Sequence, residues 1–296
     1  MTFEAYAESR VKLIDSYIEE SLERYRKSVS QRFLPLIEAM RYSLEGGGKR
    51  LRPLLVFASA ESCGLTPESV LPAACAVEYI HTYSLIHDDL PAIDDDDMRR
   101  GKPSSHKKFG EAVAILAGDA LLTEAFAQML YLTESKRFQA QHVLNAIENL
   151  VHHAGIRGMV GGQLLDVTLS NTHYSLPEIE FINIHKTGAL ILASVLFPAK
   201  LTPLEESKVQ RLRRYGETIG LAFQISDDIL DSEAPFRYSR GPRKKPKANY
   251  SQLISATEMK GKLNHLTDTA INAIRGDGKN ADALIAIAEF IRSRKN

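Results

Sequence analysis

Two groups of aspartates hold the densest chemistry in the sequence. Asp88, Asp89, Asp94, Asp95, Asp96 and Asp97 fall within ten residues and are followed at once by Arg99 and Arg100. Asp227, Asp228 and Asp231 form a DDxxD group much further along. Carboxylates this close repel one another and raise each other's pKa, so each group calls for a cation. With 37 basic and 37 acidic side chains the chain has no net charge. Nothing global points to a nucleic-acid partner, and local charge must carry the electrostatic argument.

Spacing says where the carboxylates point. Val209, Leu212, Gly216, Ile219 and Phe223 recur at steps of three and four, the mark of one buried helical stripe. The same steps continue to Asp227 and Asp231. Upstream, Val70, Ala74 and Val77 step on to His81, Ser84 and Asp88. A carboxylate facing inward near a helix C-terminus is disfavoured by desolvation and by the negative end of the helix dipole. No lysine or arginine lies three or four residues from Asp227 or Asp231, so no local ion pair offsets the charge. A divalent metal does so economically. Oxygen ligands without a Cys or His cluster favour Mg²⁺ over Zn²⁺, and Mg²⁺ held by a few carboxylates commonly shares its remaining positions with substrate phosphates.

Asp88, Asp89 and Asp94 make a DDxxxxD spacing, two residues wider than the second group. In a straight helix Asp94 would turn away from Asp88. Pro91 lacks an N–H and its ring clashes with the His87 carbonyl, so the chain must bend, which lets Asp94 return. Asp95, Asp96 and Asp97 are read as sources of field around that cluster rather than as ligands. "GGGKRLRP", Gly46 to Pro53, places Lys49, Arg50 and Arg52 where a helix begins. This is either a plain loop or an anion site of the kind helix N-termini provide. Arg99 and Arg100 suggest a second phosphate within reach of the metals.

The elements that must position these groups are helical. Expected helices span 3–28, 31–45, 49–63, 67–89, 111–132, 137–150, 154–169, 177–196, 203–231, 250–275 and 280–294. Thr202-Pro203-Leu204-Glu205 reads as a capping box with proline at the first helical position. Thr66-Pro67 and Ser175 with Glu178 mark two further starts. No sustained alternation and no hairpin dipeptide between alternating runs is evident. The expected fold is therefore all-α and a single domain over residues 1–296, with 232–247 a proline-rich basic exposed loop. "LIHDDL" and "QISDDI" each set paired aspartates at the end of a long apolar helix, a weak internal echo.

Two cysteines, Cys63 and Cys75, form neither a disulfide framework nor a CxxC pair. They are expected as reduced thiols of a cytoplasmic protein. The first residues carry glutamates and no apolar h-region, and the longest apolar run, Ala189 to Phe197, is short of the roughly 20 residues a span needs. The expectation is a soluble chain with no membrane span.

With both aspartate groups in place, the chain resembles the trans-prenyltransferases of the farnesyl/geranylgeranyl diphosphate synthase family, bacterial type. The likeness rests on "GGGKRLRP", "HTYSLIHDDLPAIDDDDMRRGKPSSHKKFGEAVAILAGDALL", "GGQLLD", "HKTGAL" and "GLAFQISDDILD" in the family's order, over nearly the whole chain. The resemblance implies a bundle of ten or more helices around an apolar cavity, usually a homodimer, acting on small isoprenoid diphosphates. It implies that Asp88, Asp89 and Asp94 with Asp227, Asp228 and Asp231 hold three Mg²⁺ ions around an allylic diphosphate contacted by Arg99. Isopentenyl diphosphate would be held by Lys49, Arg52, His81 and Arg100, and Lys186, Thr187 and Gln224 would line the reaction centre. Tyr83, five residues before Asp88 and so about one and a half turns deeper, would floor the product cavity and stop elongation at fifteen carbons.

One segment departs from that pattern. After Asp231 the family usually carries a glycine-rich loop with GK, a further aspartate and KxTYP. Here the chain reads "SEAPFRYSRGPRKKPKANYS", in which "KANYS" corresponds to the last motif and the loop aspartate is missing. Either Arg243, Lys244 or Lys245 replaces the lost diphosphate contacts, or the loop is simply solvated. The rival expectations are a geranylgeranyl diphosphate synthase, a non-catalytic partner subunit of the same fold, and a Mg²⁺-dependent terpenoid cyclase. The second basic group argues against the last, which needs only one diphosphate site.

Overall fold

The computed structural model describes residues 1–45, 47–169, 175–233 and 249–294. Among them are thirteen α-helices and one two-residue antiparallel ladder. In chain order the helices are α1 (Phe3–Ser28), α2 (Leu34–Leu44), α3 (Leu51–Ser62), α4 (Leu71–Asp88), α5 (Ser105–Phe109), α6 (Glu111–Glu134) and α7 (Ala140–Ala154). They continue with α8 (Met159–Thr168), α9 (Leu176–Asn183), α10 (Ala189–Leu201), α11 (Glu206–Glu233), α12 (Ala256–Ile274) and α13 (Asp282–Ser293). The all-α expectation holds.

Of the three helices that are apolar nearly all round, α4, α6 and α10, two take the centre. From Ala73 to Ile80 every residue of α4 is buried, and it packs against α6 and α3. In α10 nearly every residue is buried, and the helix packs against α3, α7 and α11. One hydrophobic cluster runs through all of these contacts. Segments Glu111–Glu134 and Leu176–Leu201 are long and apolar enough to cross a membrane by length and composition alone, more than the run-length count suggested. Both serve as bundle helices here, α6 against α4 and α10 in the core.

Local signals fared unevenly. At Ser175, hydroxyl and amide both meet the Glu178 carboxylate, at 2.6 and 2.7 Å, in the expected capping box. The capping box at Thr202 does not form. Instead α10 runs through Pro198 to Leu201, and the Thr202 amide and hydroxyl both donate to the Pro198 carbonyl at 3.1 Å. Burial of Phe197, Pro198 and Leu201 extends the helix past the proline, tertiary packing outweighing local propensity. α11 accordingly starts at Glu206. After Thr66 a short 3₁₀ turn, Pro67–Val70, precedes α4.

Two irregularities were not anticipated. Residues Ile184–Gly188 form a π turn between α9 and α10, where one continuous helix was expected. The short ladder pairs Met98–Arg99 (β1) with Lys102–Pro103 (β2). Its two central residues, Arg100 and Gly101, both have positive φ, 51° and 79°, the mark of a type I′ hairpin.

Candidate active site

α4 ends at Asp88, and the chain then folds back on itself at Pro91. The Asp94 amide donates to the Asp88 carbonyl at 2.9 Å, and the Asp95 amide to the Leu90 carbonyl at 3.1 Å. The bend that the proline requires thus returns Asp94 beside Asp88. Asp89 points inward at 2% exposure and receives the Arg99 guanidinium, with Nε at 3.0 and 3.1 Å from its two oxygens. The hairpin turn aims Arg99 this way and sends Arg100 the other way, onto the Gly47 carbonyl. Arg99 is desolvated, but Asp89, Asp88 and Asp96 outweigh that and hold its pKa up. Asp97 pairs with Lys107 at 2.9 Å. Asp95, Asp97 and His106 bring ligand atoms within 4.8 Å of one another, the one such trio among the described residues.

The second group sits near the end of α11. Asp228 is its most buried member, at 3% exposure, whereas the stripe pointed to Asp227 and Asp231, which are half-buried. Burial pushes the Asp228 carboxyl up to about 7, against hydrogen bonds from the Tyr250 amide (2.8 Å) and the Gln224 side chain (2.9 Å) that favour its charged form. Burial also raises Asp227, opposed by Arg294, whose guanidinium lies 2.7 Å away. That cation comes from the end of α13, beyond the reach of an argument from local spacing. Tyr250 belongs to the "KANYS" motif, of which residues 249–251 are described, and its amide sets that end of the motif against Asp228.

Lys186 and Thr187 occupy the π turn, and π turns recur at functional sites. Lys186 Nζ meets Asp166 at 2.5 Å. Burial lowers the lysine's pKa, but Asp88, Asp166 and Asp94 more than reverse it, so it stays protonated and feels the first acid group directly. Thr187 donates to Gln224 at 3.1 Å, and Gln224 to Asp228. A continuous path therefore joins the two acid groups: Asp88 and Asp94, Lys186, Thr187, Gln224, Asp228. The close approach of α8 to this turn needs Gly162, where a Cβ would come within 2.2 Å of the Lys186 nitrogen.

Near this path lies a desolvated basic group. Burial pushes Arg52 down to about 10 despite Glu78 and Asp227, and its Nε has no hydrogen-bond partner. Burial and the fields of Arg52, Arg100, Arg99 and Arg50 hold His81 well below its ordinary value, so its imidazole is neutral. Burial lowers Arg100, and Lys49 too, whose Nζ lies 4.6 Å from the Phe290 ring centroid. Arg50, the third cation of "GGGKRLRP", does a different job. It is buried and bonded to Asp15 (2.8 Å), Glu78 (2.7 Å) and the Leu44 carbonyl (2.7 Å). Crowded cations that lower one another's pKa form a site for an anion.

Several of these partners were not singled out from the sequence, among them Asp15 and Glu78 around Arg50, Asp166 and Arg294. Asp166 ends the "GGQLLD" landmark, and that acidic residue was the available signal for a partner to Lys186. Arg294 gave none. Tyr83 is buried, its ring edge-on to His87 with centroids 5.7 Å apart. Gly46 and the 232–247 loop from residue 234 onward, with Arg243, Lys244 and Lys245, lie outside the described residues. The donor set suits Mg²⁺. It is all carboxylate, partly desolvated, and carries more acid than Arg99, Lys186 and Arg294 neutralise.

A family model described as Polyprenyl synthetase matches residues 35–237. A geranylgeranyl diphosphate synthase of Cyanophora paradoxa is 41% identical over 296 residues, covering 98% of this chain and 96% of its own. A farnesyl diphosphate synthase of Geobacillus stearothermophilus is 42% identical over 281 residues, covering 94% of each. Among solved structures, a geranyltransferase from Legionella pneumophila has a TM-score of 0.85 at 34% identity over 98% of this chain and 99% of that one. An FPP/GFPP synthase from Zymomonas mobilis has a TM-score of 0.86 at 37% identity over 98% of both chains.

Proposed function

The chain belongs to the polyprenyl synthetase family, and from that premise we propose that it condenses isopentenyl diphosphate with dimethylallyl or geranyl diphosphate to give farnesyl diphosphate. That it is a prenyltransferase of the farnesyl/geranylgeranyl diphosphate synthase type follows from the family and its relatives. The observation that supports the condensation chemistry is the path from Asp88 and Asp94 through Lys186, Thr187 and Gln224 to Asp228, together with the basic group of Lys49, Arg52, His81 and Arg100.

Each part then has a task. Asp88, Asp89, Asp94, Asp227, Asp228 and Asp231 would hold Mg²⁺, three ions on this reading, and the metal supplies charge neutralisation to the departing pyrophosphate. Lys186 and Arg99 add fixed positive charge where negative charge develops as the C–O bond breaks. Asp166 keeps Lys186 in place, and Asp89 does the same for Arg99. Lys49, Arg52, His81 and Arg100 hold the second diphosphate, so that the isopentenyl double bond is presented to the allylic carbon. Bond formation leaves a tertiary cation, which loses a proton to the released pyrophosphate; no side-chain nucleophile enters. Apolar walls keep water from the cations.

Tyr83 at the floor favours a fifteen-carbon product. A geranylgeranyl product is the second reading, because close relatives carry both names. On the same footing the protein is a cytoplasmic homodimer of one-domain chains. Exposed Leu116 and Leu130 on α6 and Leu144 and Val151 on α7 support the dimer. Incubation with Mg²⁺, labelled isopentenyl diphosphate and geranyl diphosphate tests the reading. Farnesyl diphosphate is expected. A twenty-carbon product would favour the second reading, a released hydrocarbon would mean a cyclase, and no turnover would mean a binding subunit.

A further inference from the structure

We infer that a cavity on the far side of the π turn is a second small-molecule site, built for an amphipathic organic anion. The cavity, about 450 Å³, opens between α7, α10, α11 and α12. That volume lies within the range of roughly 300–1,000 Å³ typical of ligand sites. Its polar lining has two cations, Arg157 and Arg214, for one acid, Glu217, and four histidines, His152, His153, His185 and His265, share the polar wall. The remaining wall is apolar, with Leu192, Leu221 and Leu266.

Two histidines are already fixed in orientation. One ring nitrogen of His153 bonds the Asn149 carbonyl at 2.8 Å, and one of His185 bonds the Phe181 carbonyl at 2.7 Å. Each of these nitrogens donates to its carbonyl, so the other nitrogen of a neutral ring is an acceptor suited to the hydroxyl of a phosphate monoester. The donors for the anionic head are the two arginines, whose forks match a phosphate or carboxylate. A cationic rim over an apolar floor selects a molecule with one anionic head and a compact hydrocarbon body. The inorganic anion alone would leave the floor wet, and the hydrocarbon alone would leave the arginines unused.

The position gives the site a consequence. Ile184, His185 and Gly188 line the cavity, while Lys186 and Thr187 of the same π turn reach Asp166 and Gln224 on the other side. Behind the turn α11 approaches so closely that a Cβ at Gly220 would stand 3.0 Å from the Gly188 Cα. An occupant of the cavity therefore bears on the backbone that carries Lys186 and Thr187.

2-Naphthyl phosphate, titrated calorimetrically into the full chain in EDTA with excess inorganic pyrophosphate to occupy the basic group around Arg52, tests the site without engaging the metal-dependent one. One molecule should bind per chain, with 2-naphthol and inorganic phosphate each at least about tenfold weaker. Removing one arginine, as Arg157→Ala or Arg214→Ala, should weaken binding by about tenfold, as expected for one charge-assisted hydrogen bond, and Arg214→Lys should recover part of it. Thr269→Trp should block the site by filling it while leaving the charges intact, which guards against a variant that misfolds. Binding unchanged in these folded variants, or no binding to the parent chain, would overturn the inference. A second arm rests on the proposed activity. In the presence of Mg²⁺ the probe should change turnover without competing with the allylic substrate. Because the calorimetry is done without metal or turnover, its outcome stands even if the proposed reaction is wrong.

Discussion

Single side chains set the chemistry, and four of them give direct tests. Asp166 offsets the buried charge of Lys186, so Asp166→Asn should lower kcat by about 10²-fold, the scale for losing one preorganised electrostatic contact. Lys186→Ala should cost about as much, and the double variant little more, because the pair acts as a unit. Additive losses in steady-state kinetics would show that Asp166 acts elsewhere. Tyr83→Ala should lengthen the product, read by chromatography; unchanged chain length would rule Tyr83 out as the floor. His81 gives a pH signature. Its folded-state pKa is depressed by burial and by Arg52, Arg100, Arg99 and Arg50, while an unfolded histidine titrates near about 6.5. Below that pH the unfolded chain binds a proton that the folded chain refuses, so His81 costs stability as the pH falls, and its cost vanishes above about pH 7. His81→Gln should therefore lose less melting temperature than the parent between pH 7 and pH 5. Parallel profiles would contradict the assignment.

At the scale of elements, the active site depends on departures from regular helix. The proline-driven reversal after Asp88, the type I′ hairpin at Arg100-Gly101 and the π turn at Lys186 each redirect a charged side chain that a straight helix would send elsewhere. This is also where the sequence was hard to read. The long helices were legible because period and burial agree along them. Proline announced the reversal after Asp88 for a simple steric reason. The π turn was invisible, since it lies in unbroken helical sequence with no proline to announce it, and the hairpin hid in "RRGK" because its strands are too short to alternate. Arg294 could not be found from spacing, since only the packing of α13 beside α11 brings it to Asp227. The false capping box at Thr202 failed because burial of Phe197 and Leu201 extends α10 across it. Gly162 tests the element picture. A Cβ there meets the backbone of Lys186, so Gly162→Ala should displace the turn, reduce turnover and lower the melting temperature by on the order of 5 °C. Full activity in that variant would mean that the turn tolerates movement and that the close packing has no catalytic role.

Across the whole molecule, the fold holds two opposed charge excesses apart, which on the proposed reading substrate and metal neutralise together. The acid groups at the ends of α4 and α11 and the basic group around Arg52 each bear self-repulsion in the free protein, which packing of α4 and α10 in one core sustains. The net charge of zero conceals this, and only the positions of the residues reveal it. The most direct test is a crystal structure of the protein with Mg²⁺ and a geranyl diphosphate analogue that resists ionisation. It should place metal between the Asp88–Asp94 and Asp227–Asp231 groups, bridged by the diphosphate, with Lys186 and Arg99 against the same oxygens. Metal bound to one group only, or a diphosphate lodged away from both, would contradict the account.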